Sequence, residues 1–354
     1  MGSADPYLSS AVGKRAAPDR RLGIAMVGCG NIAETQLEAY RNLGLNVRVL
    51  CDIDAKRATA CRAEYYPDAD VTTEYQAVLD RDDVAVVDVT LPPGPRAEVI
   101  ADCVRAGKHV LSQKPFVTDR EVGERLVSLA GEHGVRLAVN QNVRWAPHYR
   151  YIREAVREGT IGAVHGASLR QCWDYNRIEG DGIPHRLLFY YAIHWFDVVR
   201  LIMGGEPPDR VYTATAGTPT QRPSQPIVSH SVLEYDHGLV SLSFDGDTRT
   251  DSIDETYLVG ETGVIDSRGS TLDDQSVTVR LRDGERTPEL TGTWNPGAFG
   301  HSMAELLASI ADDREPLHSG ADNLRTLDVA FAAVRSAETG APVQPGEIGT
   351  LPER

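Results

Sequence analysis

The segment that most constrains this chain runs from Leu22 to Ala33. An apolar stretch, Leu22-Gly-Ile-Ala-Met-Val27, leads into Gly28-Cys-Gly30-Asn31-Ile32-Ala33 and then into a helical pattern. The first glycine permits a tight turn, the second lets main chain approach a pyrophosphate, and the small third residue lets helix pack on strand. The helix start then offers free N–H groups and a positive dipole end to an anion. Such a string is weak alone, but it gains force between a strand and a helix when an acid closes the second strand. That acid is Asp52, which ends Val47-Arg-Val-Leu-Cys51 and lies 19 residues after Ala33. Its carboxylate suits a ribose 2′-hydroxyl and repels a 2′-phosphate, so NAD is favoured over NADP. Lys56 and Arg57 follow closely and weaken that preference. The plain alternative is a glycine turn and a solvated strand-end aspartate.

The rest of the chain supplies the context. Short apolar strands are expected at 85–89, 109–112 and 136–139, between helices near 55–65, 97–106 and 122–130. Strands of this kind, lacking a period of two and alternating with helices, form a parallel sheet covered on both faces. Beyond residue 145 the rhythm changes. A helix at 148–158, a strand at 164–173 and a helical segment at 184–203 precede runs at 210–215, 227–235, 239–244, 256–259 and 276–281. Turn signals separate those runs, which read as one antiparallel sheet, and helices near 301–310 and 322–338 close the chain. The fold class is therefore α/β: an N-terminal Rossmann doubly wound parallel sheet, then a C-terminal α/β domain with a large, mainly antiparallel open sheet. The expected division is a flexible arm at 1–20, a nucleotide domain at 21–144, a substrate and oligomerisation domain at 145–342, and a tail at 343–354. The C-terminal helices are left open to pack back on the first domain.

Composition removes several function classes. The 354 residues hold 36 Lys+Arg against 51 Asp+Glu, a net charge of −15, so no cationic excess exists to bind a phosphate backbone. No apolar run approaches the roughly 18 residues of a membrane span. The five cysteines contain no C-x-x-C pair, which argues against a disulfide framework or a zinc site and fits a reducing cytoplasm. The first twenty residues lack the apolar core of a secretory signal.

Further strings occur in order: Thr90-Leu-Pro92, Gly107-Lys-His-Val-Leu-Ser-Gln113-Lys114-Pro115, Asn142-Val-Arg144-Trp145 and Ile193-His194-x-x-Asp197. Together with the glycine motif they resemble the Gfo/Idh/MocA oxidoreductase family over about residues 21–342. The resemblance implies NAD bound on the first domain, with Gly28, Gly30, Asn31, Ile32, Asp52, Thr90, Pro92, Gln113, Lys114, Asn142 and Arg144 near it. Substrate and nicotinamide would meet between the domains, and the open sheet would serve a homodimer or homotetramer. A cis peptide at Pro115 is also implied. Two departures stand out. Gln113 replaces the usual Glu before Lys-Pro, and Tyr190 stands where many relatives carry an Asp one turn before the catalytic His. Arg96 likewise occupies a common His position.

Oxidising a secondary alcohol requires a base for the hydroxyl proton while hydride leaves the same carbon. His194 resembles that base, its alternative being a buried helix histidine beside Trp195 and Phe196. Lys114, at a strand's carboxyl end, suits stabilisation of a developing alkoxide. Tyr190 is a third catalytic candidate, either replacing the missing Asp or fitting substrate, with aromatic core as its alternative. Trp173, Asp174, Tyr175 and Asn176 combine an aromatic face with hydrogen-bonding groups suited to a polyhydroxylated ring, and equally compose an ordinary loop. His185 and Arg186 are candidates of the same kind. Asp197 completes His-x-x-Asp, too poor a set for a metal and better suited to orienting the helix. No metal is expected. The expected activity is NAD(H)-dependent hydride transfer with a sugar, glycoside or cyclitol. The competing classes are glycoside cleavage or elimination through transient oxidation, and a relative that binds cofactor without catalysis.

Overall fold

The computed structural model describes residues 19–177 and 185–351, so the expected arm up to residue 18, Pro184 and residues 352–354 lie outside the described residues. In chain order the elements are β1 (Gly23–Val27), α1 (Asn31–Leu43), β2 (Asn46–Cys51), α2 (Ala55–Tyr65), β3 (Asp70–Thr72), α3 (Gln76–Leu79), β4 (Val86–Val89), α4 (Pro93–Arg105), β5 (His109–Ser112), α5 (Arg120–Glu132) and β6 (Leu137–Val139). There follow α6 (Pro147–Arg157), β7 (Val164–Cys172), α7 (Ile193–Ile202), β8 (Arg210–Ala216), β9 (Val228–Tyr235), β10 (Gly238–Asp245) and β11 (Ile253–Gly260). The chain closes with β12 (Gly263–Gly269), β13 (Gln275–Leu281), β14 (Gly284–Arg286), α8 (Phe299–Ala311) and α9 (Gly320–Thr339). α4 starts at Pro93 rather than near 97. Pro93 lies in its first turn, where a missing N–H costs nothing.

The chain divides into two compact units. Among the described residues, one comprises those up to Trp145 with Thr293–Leu324, and the other Ala146–Gly292 with those from Arg325 onward. The first is built on a sheet of order β3-β2-β1-β4-β5-β6, parallel throughout. β1 is buried along its whole length, because helices cover both faces and every side chain must be apolar or small. On α1, Ala33, Leu37 and Tyr40 form one buried stripe, and burying Leu37 alone contributes about 1.5–3 kcal/mol. Residues 293–324 belong to this unit; the sequence grouped them with 145–342 and left the C-terminal helices open to pack on the first domain. The physical reason is α8: its Met303, Leu306 and Leu307 join the same core cluster as Ile24 and Leu37.

The second unit carries a sheet of order β14-β13-β12-β11-β7-β10-β9-β8. Its neighbours pair antiparallel except β7 with β10, which run parallel, so the sheet is mixed although mainly antiparallel. β12 was not anticipated from the sequence. Its Gly-Val-Ile-Asp-Ser-Arg-Gly run has no apolar alternation and becomes a strand by pairing with β11 and β13 on either side. Arg186–Ala192 winds as a π-helical turn running directly into α7.

Candidate active site

Gly28 adopts φ +100°, and a side chain there would meet the Thr90 Oγ1 at 2.9 Å, so glycine is required on two counts. A Cβ on Gly30 would meet nothing within 4 Å; open space therefore lies over the start of α1, which has no side-chain cap. Asn31 opens that helix and Ile32 is exposed beside it. The buried Asp52 accepts from the main-chain N–H of Cys29 (2.7 Å) and of Asp54 (2.8 Å), which ties the end of β2 to the glycine turn. The Thr90 hydroxyl lies 2.5 Å from the Gly28 carbonyl oxygen and closes the turn from the β4 side. An open glycine cradle, an uncapped helix start and a fixed carboxylate are the donor set a dinucleotide needs, so the residues fit NAD.

Lys114 is half-buried and follows β5 at the carboxyl edge of the parallel sheet, where α/β sheets bind ligands. The Lys114–Pro115 peptide is cis. Arg96, only 3% exposed, organises this region from α4. Its guanidinium donates to the Leu91 carbonyl (2.9 Å), the Gln113 carbonyl (2.8 Å) and the Pro115 carbonyl. The loop after β4, with Pro92 capping α4, is thereby joined to the loop bearing Lys114. Gln113 is buried, and its side-chain amide donates to Gln36. Gln36 in turn donates to Asp88 and to the Tyr40 hydroxyl (3.0 Å), and Tyr40 donates to Asp88 at 2.6 Å. Burial pushes the Asp88 carboxyl up to about 7 against those two donors. Sequence reasoning missed this network. A charged residue in the apolar run Val86-Val-Asp-Val89, with Gln36 and Tyr40 at i and i+4 on α1, was the available signal.

Asn142 and Arg144 lie in a 3₁₀ turn after β6, both buried. The Asn142 side-chain carbonyl accepts from the Trp294 indole at 2.9 Å. Arg144 donates to the Leu317 carbonyl (2.7 Å) and pairs with Asp322 (2.9 Å). Both residues thus anchor the 293–324 segment to the strand end. His318 packs edge-on against Trp145, and burial pushes its imidazole down to about 3.

The second unit holds the remaining candidates. His194 is 7% exposed in the first turn of α7, and half-buried Tyr190 lies one turn earlier in the π-helical segment. A four-residue offset puts both on one face of the continuous helix. Asp197 is fully buried; it accepts from Thr326 at 2.8 Å and lies 3.8 Å from the Arg200 guanidinium, so it orients α7 against α9. Trp173 stacks on Tyr191 with ring centroids 4.1 Å apart, and Tyr175 meets both rings edge-on. Arg186 lies over the Tyr175 ring at 5.9 Å. Asn176 donates to Asp174 (3.1 Å) and Asp247 (2.6 Å), fastening the loop after β7 to the loop after β10. Trp173 and Tyr175 are therefore committed to packing with Tyr191, and Asn176 to tying the two loops. His185 stands elsewhere in this unit. It lines a cavity of about 270 Å³ with Thr215, Ser224 and Gln225, its ring 3.4 Å from Glu338. Among the described residues no cluster of three His, Cys, Asp or Glu side chains is placed to hold a metal.

A parallel dinucleotide-type sheet with a lysine at its carboxyl edge, followed by a large mixed sheet, defines a pyridine-nucleotide oxidoreductase. Residues 22–141 match the family described as oxidoreductase, NAD-binding Rossmann fold, and residues 149–266 match the GFO/IDH/MocA C-terminal domain. The chain belongs to the Gfo/Idh/MocA family, and its activity class is that of a dehydrogenase or reductase. It is 27% identical to the D-apiose dehydrogenase of Paraburkholderia graminis, covering 92% of this chain and 90% of that one. It is also 27% identical to the 1,5-anhydro-D-fructose reductase of Ensifer adhaerens, covering 92% and 98%. Levoglucosan dehydrogenase, solved with NADH and levoglucosan, shares the fold at a TM-score of 0.78 and 17% identity, covering 92% of this chain and 100% of that one.

Proposed function

We propose that this chain is an NAD(H)-dependent oxidoreductase moving hydride between nicotinamide and a secondary alcohol or ketone of a sugar, glycoside or cyclitol. The observation that carries the reading is the Arg96 frame, which joins the loop beside the glycine turn to the loop bearing Lys114. When bound, nicotinamide supplies the hydride acceptor or donor. Lys114 holds an ammonium against the reacting oxygen and favours alkoxide character there. His194 takes or returns the hydroxyl proton, and Tyr190 shapes the fit of the substrate. Asp52 favours NAD by its charge. The two curated relatives are named for sugar-type compounds, which supports a polyhydroxylated substrate.

The test is a panel of polyols, aldoses and glycosides with NAD and NADP, followed by absorbance and product mass. Steady accumulation of NADH on one of them supports the reading. Bond cleavage without net reduced cofactor replaces it with transient oxidation. Tight NAD binding with neither outcome replaces it with a non-catalytic role. The five buried free thiols support a reducing cytoplasm. A homodimer or homotetramer is supported by one row across the large sheet, where Tyr212 pairs with Val232, then Ser241, Ser168 and Tyr257. Its large members are exposed, as is Leu239 two residues before Ser241.

A further inference from the structure

The hydrogen bonds behind Lys114 have a direction. Asp88 is wholly buried, and its Oδ2 accepts from both Gln36 and Tyr40, while Oδ1 has no hydrogen-bond partner among the described residues. A carboxylate only accepts, and a carboxyl protonated at Oδ1 still accepts at Oδ2. With Oδ2 unprotonated, as its two donors require, Gln36 turns its amide nitrogen toward Asp88 and its carbonyl oxygen toward residue 113. Residue 113 must then be a donor. Glutamine satisfies that requirement and glutamate does not, which accounts for Gln113 as the neighbour of Lys114 in this chain. The backbone of Gln113 is held too, its N–H donating to the Val89 carbonyl (3.1 Å) and its carbonyl accepting from Arg96 (2.8 Å). The side chain and main chain preceding Lys114 are thereby fixed to the sheet interior and to α1.

We propose that Asp88 and Gln36 are positioning residues for Lys114: Asp88 sets the polarity of Gln36, Gln36 selects and holds Gln113, and Gln113 holds the lysine. The proposal rests on the reading of Lys114 as the group that meets the reacting oxygen, but its test does not. Gln113→Glu sets acceptor against acceptor at Gln36. Adding Asp88→Asn gives Gln36 a donor at position 88, so the amide can reverse and donate to the carboxylate introduced at position 113.

The experiment labels lysines of the full-length wild-type protein and variants with a trace amine-acylating reagent and quantifies each peptide by mass spectrometry across pH. The chain has four lysines, and exposed Lys56 is the internal control. Lys114 labelling in Gln113→Glu is expected to change at least about threefold with Lys56 unchanged, and to return to within about twofold of wild type in the double variant. Urea unfolding should show the same rescue. If Gln113→Glu does not fold, Gln113→Met, which removes the donor without adding charge, should shift Lys114 labelling in its place. Wild-type labelling in Gln113→Glu or Gln113→Met overturns the proposal, as does a double variant no better than its two single changes combined. The expected labelling together with undiminished turnover in Lys114→Ala overturns instead the catalytic reading of Lys114.

Discussion

Asp52 commits two of its lone pairs to main-chain N–H groups of the glycine turn and of its own loop, so its charge is held in place. A 2′-phosphate brought beside it meets a carboxylate that has no freedom to swing away. NAD is expected to bind at least about tenfold tighter than NADP, or about 1.4 kcal/mol, in titrations of both cofactors. A tighter NADP value would assign the site to Lys56 or Arg57. On the proposed function, Lys114→Ala should lower kcat by on the order of a hundredfold with NAD affinity nearly intact, because an ammonium at the reacting oxygen matters most where negative charge develops. In the proposed site, Tyr190 stands one turn before His194 as a neutral phenol in place of a carboxylate. Tyr190→Phe should therefore retain activity within about tenfold, and His194→Ala should lose far more. Kinetics of both variants on one verified substrate decide the matter, and a dead Tyr190→Phe beside an active His194→Ala reverses the assignment.

At the scale of elements, two interiors carry testable strain and charge. α8 lies close on α1 at Gly300, where a Cβ would come within 2.8 Å of Leu43 and 3.3 Å of Ala39. Gly300→Val should lower stability by about 1–3 kcal/mol in urea unfolding, since neither helix can withdraw without opening the core. In the second unit, Asp254 of β11 is buried opposite Gln171 of β7, and burial pushes its carboxyl up to about 7. It faces Gln171 on β7, Tyr149 on α6 and Tyr191, none of which supplies a positive charge. The folded state keeps this proton to about pH 7, whereas the unfolded chain releases it near 3.8, so the fold binds more protons in between. Stability from this group falls as pH rises through that window and is level above it. Wild type should lose more stability than Asp254→Asn between pH 5 and pH 8 in parallel urea titrations. An equal loss would show that the carboxyl is already ionised at pH 5.

At the scale of the whole molecule, the exposed row across the large sheet is the feature a single copy leaves unexplained. Leu239, 58% exposed, extends that row of exposed large side chains, and a contiguous apolar patch marks an interaction surface. Leu239→Arg should convert an oligomer into a smaller species in analytical ultracentrifugation without lowering the thermal midpoint of that species. An unchanged sedimentation coefficient would show that this face holds no interface.

Local order determined much of this protein. Five of the six strands of the first unit (all but the short β3), the glycine turn and the strand-end positions of Asp52 and Lys114 were legible because each depends on neighbours a few residues away: apolar runs, a helix start, a backbone that only glycine allows. The composition of Trp173–Asn176 was legible too, but not its use, since stacking on Tyr191 and bonding to Asp247 are set by partners in other elements. The same holds for β12, which is a strand only because two strands flank it, and for α8, whose apolar face fits either unit until Gly300 meets α1. Most of all it holds for Asp88. Its burial, its two donors and the polarity it passes through Gln36 to Gln113 span separations of 48, 52 and 77 residues. The acid in the β4 run is a local hint, but no local pattern names its partners, because a buried carboxylate acquires meaning only from the groups that the packed core brings against it.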